Sequence, residues 1–200
     1  MKHASASPAA PPFDFTAHVR RLCDDMIARL PGELGHIDMS RVAVSFRQTR
    51  TSSPFGMFAS LTPLRFAGGA TEMVRRGRTW RAPRVMGPAG RELLYILNFY
   101  LPRFLDLDFP QKLQTTAHEL WHVGPKCDGD LRRFDGRCYA HGGSRGHFDR
   151  IAKDLVHRWM AAGADESVYG FLREDFAALH ARHGRIIGTR VRTPRLIHAG

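Results

Sequence analysis

The chain has 200 residues, with 30 Lys and Arg against 19 Asp and Glu and a formal charge of +11. That length accommodates one domain with a sizeable core and leaves little room for two. A composition of 43% hydrophobic and 24% charged residues excludes global disorder. No apolar run reaches the roughly 18–20 residues of a membrane span.

The start, MKHASASPAAPPFDF, lacks a continuous apolar stretch, so no secretory leader is expected. Three cysteines (Cys23, Cys127, Cys138) cannot build a disulfide framework, and the odd count points to a reducing cytoplasm. The basic excess is almost all arginine, 26 Arg to 4 Lys. A GC-rich coding preference accounts for that as readily as a phosphate-binding surface does.

Residues 1–15 are rich in Ala, Ser and Pro and read as a disordered lead-in. From Thr16 to Arg29, Val19, Leu22, Cys23 and Met26 recur at helical spacing, and Pro31-Gly32 is expected to stop that helix. Val42, Val44 and Phe46 alternate with polar or small residues, as in a strand with one buried face. Thr51 to Gly56 reads as a turn, and Phe58 to Phe66 as a second strand whose Pro63 suggests an edge or bulge. Gly68-Gly69 is another turn. Glu72 to Val85 has weak strand character and carries five arginines. Gly87 to Gly90 is a loop, and Leu93 to Leu101 is apolar on both faces, as in an interior strand.

Then the period becomes helical. Asp108 can cap a helix with Pro110 in its first turn and a stripe of Leu113, Ala117, Leu120 and Trp121, ended by Gly124-Pro125. Lys126 to Gly143 is a polar loop. Phe148, Ile151, Ala152, Leu155 and Trp159 mark a second helix, and Val168 to Leu179 a last one. Residues 185–200 are a basic tail, so the single domain is expected to span 16–184. Helix, strands, then helices describe an α+β fold.

Within the predicted helix stands His118-Glu119-Leu120-Trp121-His122. Histidines at i and i+4 share one helix face, so both imidazoles can reach one metal ion. Zinc suits neutral imidazoles, and its open position holds a water. Glu119, one step round the helix, can take a proton from that water as general base. Random placement of 11 His and 6 Glu would give roughly 0.02 such motifs. The plain alternative is two solvent-facing histidines on an ordinary amphipathic helix.

A catalytic zinc takes a third protein ligand. His141, between Ala140 and Gly142-Gly143, precedes the next helix; His147 begins it; His157 lies deep in it, off its apolar stripe. Position favours His141 and leaves His147 as the alternative.

His118 to His122, a polar loop, and then His141-Gly142 running to Phe148-Asp149 together resemble the SprT-like zinc metallopeptidases, and still more the phage metallopeptidase group of that zincin-like class. The resemblance covers about 105–160. It implies one zinc ion held by His118, His122 and His141, with Glu119 as base in peptide hydrolysis. It also implies a small, mostly antiparallel sheet packed on the active-site helix, with further C-terminal helices. An edge strand of that sheet would pair with an extended protein or peptide substrate. The chain lacks the Cys pairs of a C-terminal zinc ribbon.

Lesser candidates remain. Cys127 and Cys138 could form a second metal or redox site, though two incidental loop thiols are the simpler reading. Asp128, Asp130, Asp135 or Asp149 could accept the outer N–H of a zinc histidine. Tyr139 and Arg145 are candidate transition-state stabilisers, against a role as loop packing or surface charge. Arg75, Arg76, Arg78, Arg190 and Arg192 are candidate DNA or RNA contacts, against a solvated basic face, and aromatic residues among them are sparse. The rival reading of the whole chain is a nucleic-acid-associated accessory protein with a structural or non-catalytic metal site.

Overall fold

The computed structural model describes residues 10–49, 56–133 and 145–199, the side chains of Arg145 and His147 excepted. β1 (Phe13–Asp14) leads directly into α1 (Phe15–Arg29), which Asp14 caps by accepting from the Ala17 N–H at 3.0 Å. α1 ends just before Pro31, with Leu30 as its C-cap, and Pro31 then opens a new short helix. It takes the first position of the short α2 (Pro31–Leu34), where a missing N–H costs nothing. β2 (Val42–Gln48) and β3 (Ala59–Pro63) follow, the second shorter than its apolar run.

The weak strand expected over 72–85 is a hairpin of β4 (Glu72–Arg75) and β5 (Arg78–Arg81). Its turn residues Arg76 and Gly77 both have positive φ, 53° and 71°, the signature of a tight hairpin turn. A second small hairpin, β6 (Val85–Met86) and β7 (Glu92–Leu93), leads into β8 (Tyr95–Leu101). Then come α3 (Phe109–Trp121) and α4 (Arg145–Ala161). The single last helix expected over 168–179 is divided into α5 (Glu166–Tyr169), a 3-10 turn (Gly170–Arg173) and α6 (Phe176–His183). Asp175 caps α6 through the Ala178 N–H, and the buried Lys112 Nζ donates to the Leu172 and Glu174 carbonyls at 3.0 and 2.7 Å. A continuous helix would need those carbonyls for itself.

The chain closes with β9 (Ile186–Ile187) and β10 (Ile197–Ala199). The positions 15 and 185 adjoin paired strands: Phe15 opens α1 directly after β1, and the Arg185 carbonyl, just before β9, accepts from the Phe13 N–H. β1 and β9 run parallel, the Phe46 N–H donates to the Thr189 carbonyl, the Val191 N–H donates to Ser45 Oγ, and β10 pairs with β5. Buried Phe13 and half-buried Ile186 and Val191 give both ends an apolar reason to stay.

The fold is thus mixed α+β with several small sheets. The central one has the order β2–β8–β3, with β8 in the middle as its two apolar faces demand. It is not antiparallel throughout: β2 and β8 are parallel, because a long excursion through 49–94 returns the chain in the same direction, while β3 is antiparallel to β8. One face, Tyr95, Leu97, Phe99 and Leu101, packs with α1 and α3 in the main core. Ile96 on the other packs with Leu64, Leu93 and Val191. Ser45 is buried despite its polarity because Val191 supplies its partner. No helix among the described residues is long and apolar enough to cross a membrane.

Candidate functional site

α3 opens with a reciprocal cap: Asp108 Oδ1 accepts from the Gln111 N–H at 2.8 Å, and Gln111 Oε1 accepts from the Asp108 N–H at 3.4 Å. Leu113, Thr116, Ala117 and Leu120 face the core. That phase carries His118 and Glu119 into the last turn and puts His122 at the C-cap. The two imidazoles come together as the i, i+4 spacing requires, with Nε2 to Nε2 at 3.1 Å and ring planes 72° apart.

α4 packs along α3 and supplies the wall behind the pair. The fully buried Phe148 ring stacks on His122, with centroids 4.5 Å apart and planes 23° apart, and also touches His118 at 4.8 Å. Asp149 Oδ1 stands 3.7 Å from His118 Nδ1, an ion-pair separation longer than a hydrogen bond. Of the three described acids among those expected near the histidines, Asp128, Asp130 and Asp149, this is the one brought to them. Asp130 is committed elsewhere, to Arg133 at 2.7 and 2.8 Å and to the N–H groups of Gly68 and Leu131. Asp128 accepts from the Asp130 N–H.

Glu119 is buried and turns to the sheet, where Oε2 accepts from the Leu61 N–H at 2.7 Å. Hydrogen-bonded pairs of β3 and β8 include Phe58–Tyr100 and Leu64–Leu94, so Ala59, Leu61 and Pro63 occupy the alternate positions, whose backbone groups point off the sheet. Pro63 thus sits where its missing N–H takes no bond from the ladder, as expected of an edge. Burial pushes the Glu119 carboxyl up to about 7, with the Leu61 hydrogen bond pulling the other way. Leu61 was not foreseen as a site residue; its contribution is a backbone N–H, and only Pro63 hinted at an exposed edge beside it.

Beyond His122 the chain folds back instead of forming a free loop over 126–133. The Arg132 N–H donates to the His122 carbonyl at 2.8 Å, and Arg132 Nε donates to the Trp121 carbonyl at 2.9 Å. The guanidinium lies 3.7 Å over the Trp121 ring, so Trp121 is half-buried under a cation rather than wholly in the core. Gly124 is required where it stands, since a Cβ there would meet the Asp130 carbonyl oxygen at 2.6 Å. Buried Tyr95 locks this turn, its hydroxyl donating to the Asp130 carbonyl and accepting from the Gly129 N–H.

His141, Tyr139, Asp135 and Cys138 lie outside the described residues. His147 and Arg145 are in the first turn of α4, and their side chains lie outside the described set as well. His157 is exposed, as its place off the apolar stripe predicts. Cys127 is buried, its Sγ accepting from the Asp38 N–H at 3.5 Å, and burial raises its thiol pKa. Among the described residues no three His, Cys, Asp or Glu side chains form a metal-binding group; His118 and His122 form a pair. No family model, curated protein or solved structure matches the chain.

Proposed function

We propose that the chain is a zinc-dependent metallopeptidase of the SprT-like, zincin-like class, with His118 and His122 as two ligands and His141 as the third. One observation carries the reading: two histidine Nε2 atoms 3.1 Å apart, next in sequence to a buried carboxylate. Nitrogens about 2.0–2.1 Å from one tetrahedral ion lie roughly 3.4 Å apart, so the pair fits zinc with little adjustment. Zinc bound there supplies Lewis acidity toward a carbonyl and toward water.

The chain's own residues do the rest. An extended substrate adds to the β3 edge through the Ala59 backbone and the Leu61 carbonyl, which point away from β8, the Leu61 N–H being held by Glu119. Glu119 Oε2 stays on the Leu61 N–H, leaving Oε1 to take the proton of the attacking water and pass it to the leaving amine. A carboxyl held near 7 is suited to both moves; a dication beside it lowers that value and favours the proton-accepting form. Phe148 excludes water behind the histidines.

Metal analysis of the purified chain tests this. The expected result is one zinc per chain, lost in His118→Ala and His122→Ala. Glu119→Gln should keep the zinc and lose roughly 10²–10⁴-fold in peptide hydrolysis. A protein that holds no zinc, or whose zinc is indifferent to His118 and His122, overturns the proposal. Zinc without any Glu119-dependent hydrolysis favours the non-catalytic accessory protein. His141→Ala against His147→Ala assigns the third ligand.

A further inference from the structure

The sheet β10–β5–β4 is separate from the central sheet that holds β3 and has no role in the proposed hydrolysis. Its register puts Met73 beside Trp80, and Trp80 beside His198. On that face Met73, Arg75, Arg78 and Trp80 join Leu196 from the C-terminal segment, with Arg76 at the hairpin tip, around a concave cavity of about 660 Å³. The sheet brings together residues more than a hundred positions apart, which linear clusters of arginine could not show.

Local physics opposes this arrangement. Arg75 and Arg78 are directly opposite each other across the ladder, where like charges repel. Arg76 is held at a φ of 53°, a conformation that Gly or Asn adopts at less cost. The acid of the hairpin, Glu72, is bound at 2.7 Å to Arg81, directly opposite it in register and on the other face of the sheet. None of Arg75, Arg76 and Arg78 has an ion pair among the described residues, and all three are exposed. Three uncompensated guanidinium groups in a concavity are complementary to a polyanion. The half-buried Trp80, braced by the His198 ring at 5.4 Å and 78°, adds an aromatic surface in the same concavity.

We propose that this face binds single-stranded nucleic acid, with Arg75, Arg76 and Arg78 on phosphates and Trp80 stacking on an unpaired base. An aromatic group in a recess, beside charges at its rim, reads a splayed base rather than a flat lipid headgroup layer. Arg190 and Arg192 are not part of the groove. Arg190 instead lies 4.9 Å over the Phe46 ring at the central sheet. The inference does not depend on the peptidase reading.

The test is anisotropy of a labelled oligothymidine with the full chain at stepped salt. Binding should follow a log–log salt slope of about −2, from three phosphates at roughly 0.7 each. The combined variant R75T/R76N/R78T keeps strand and turn preferences, so its melting temperature should hold or rise. Its affinity should fall at least tenfold in low salt, with the slope moving toward zero. Trp80→Ala should weaken binding roughly tenfold at unchanged slope. Four results overturn the proposal: no binding, an equally tight duplex of the same length, a folded triple variant that binds like the parent, or arginine-dependent binding to phosphatidylserine vesicles with none to the oligonucleotide.

Discussion

The β3 edge with the end of α3 and the β4–β5–β10 sheet handle polar groups in opposite ways. At the β3 edge they are supported by partners: buried Glu119 on the Leu61 N–H and the His118–His122 pair against Phe148; at the other end of α3, buried Lys112 is held in the same way on two carbonyls. On the outer sheet three arginines face one concavity with no acid bound to them among the described residues. A buried polar group without a partner costs about 1–3 kcal/mol, so the first region had to be built around its partners. An exposed charge costs little in water, so the second could keep an unfavourable arrangement. The residues of the first region therefore also hold the fold, and those of the second do not.

Substitutions in the two regions should differ in their effect on stability. The largest effect is expected at Phe148, fully buried against both histidines. Phe148→Ala should cost about 3–5 kcal/mol in denaturant unfolding; a near-neutral result would show that the wall behind the histidines is not part of the core. Next is Lys112→Met, expected to cost about 2 kcal/mol, because it removes two bonds from a charged donor to buried carbonyls.

That lysine also carries a pH signature. Burial lowers its pKa from the ordinary 10.5, against the pull of Asp175, Asp106, Asp108 and Glu174. Between the folded and unfolded values the unfolded chain binds more protons. Its contribution to stability is therefore lowest below the folded pKa and rises with pH toward 10.5. Lys112→Met should flatten the alkaline limb of the stability–pH curve relative to the parent, and identical limbs would contradict the burial effect. The smallest effect is on the outer sheet. R75T/R78T should stabilise the chain by roughly 0.2–1 kcal/mol through loss of a like-charge cross-strand pair, read as a higher unfolding midpoint. A destabilised variant would mean that those arginines hold the fold after all.

Local signals carried the elements whose determinants are close in sequence. Asp108, Pro110 and the apolar stripe mark α3; the two-faced apolar run marks β8; Pro63 marks an edge. The spacing of His118 and His122 needs only helical geometry to bring their rings together. Less legible were contacts made at long range. Lys112 interrupts the last helical stretch from 60 and 62 residues away. Nothing near Leu61 announces that its N–H will meet a carboxylate 58 residues on.

A mixed α+β chain, with a helix that puts two histidines on one face beside a glutamate, follows from the residue order because periodicity and capping are local properties. The tertiary structure alone decided that Glu119 is held at a sheet edge, that Phe148 and Asp149 back the histidines, and that the C-terminal segment returns to the arginine hairpin. Those outcomes depend on which buried groups find partners once distant segments pack, and spacing along the chain carries no record of that choice.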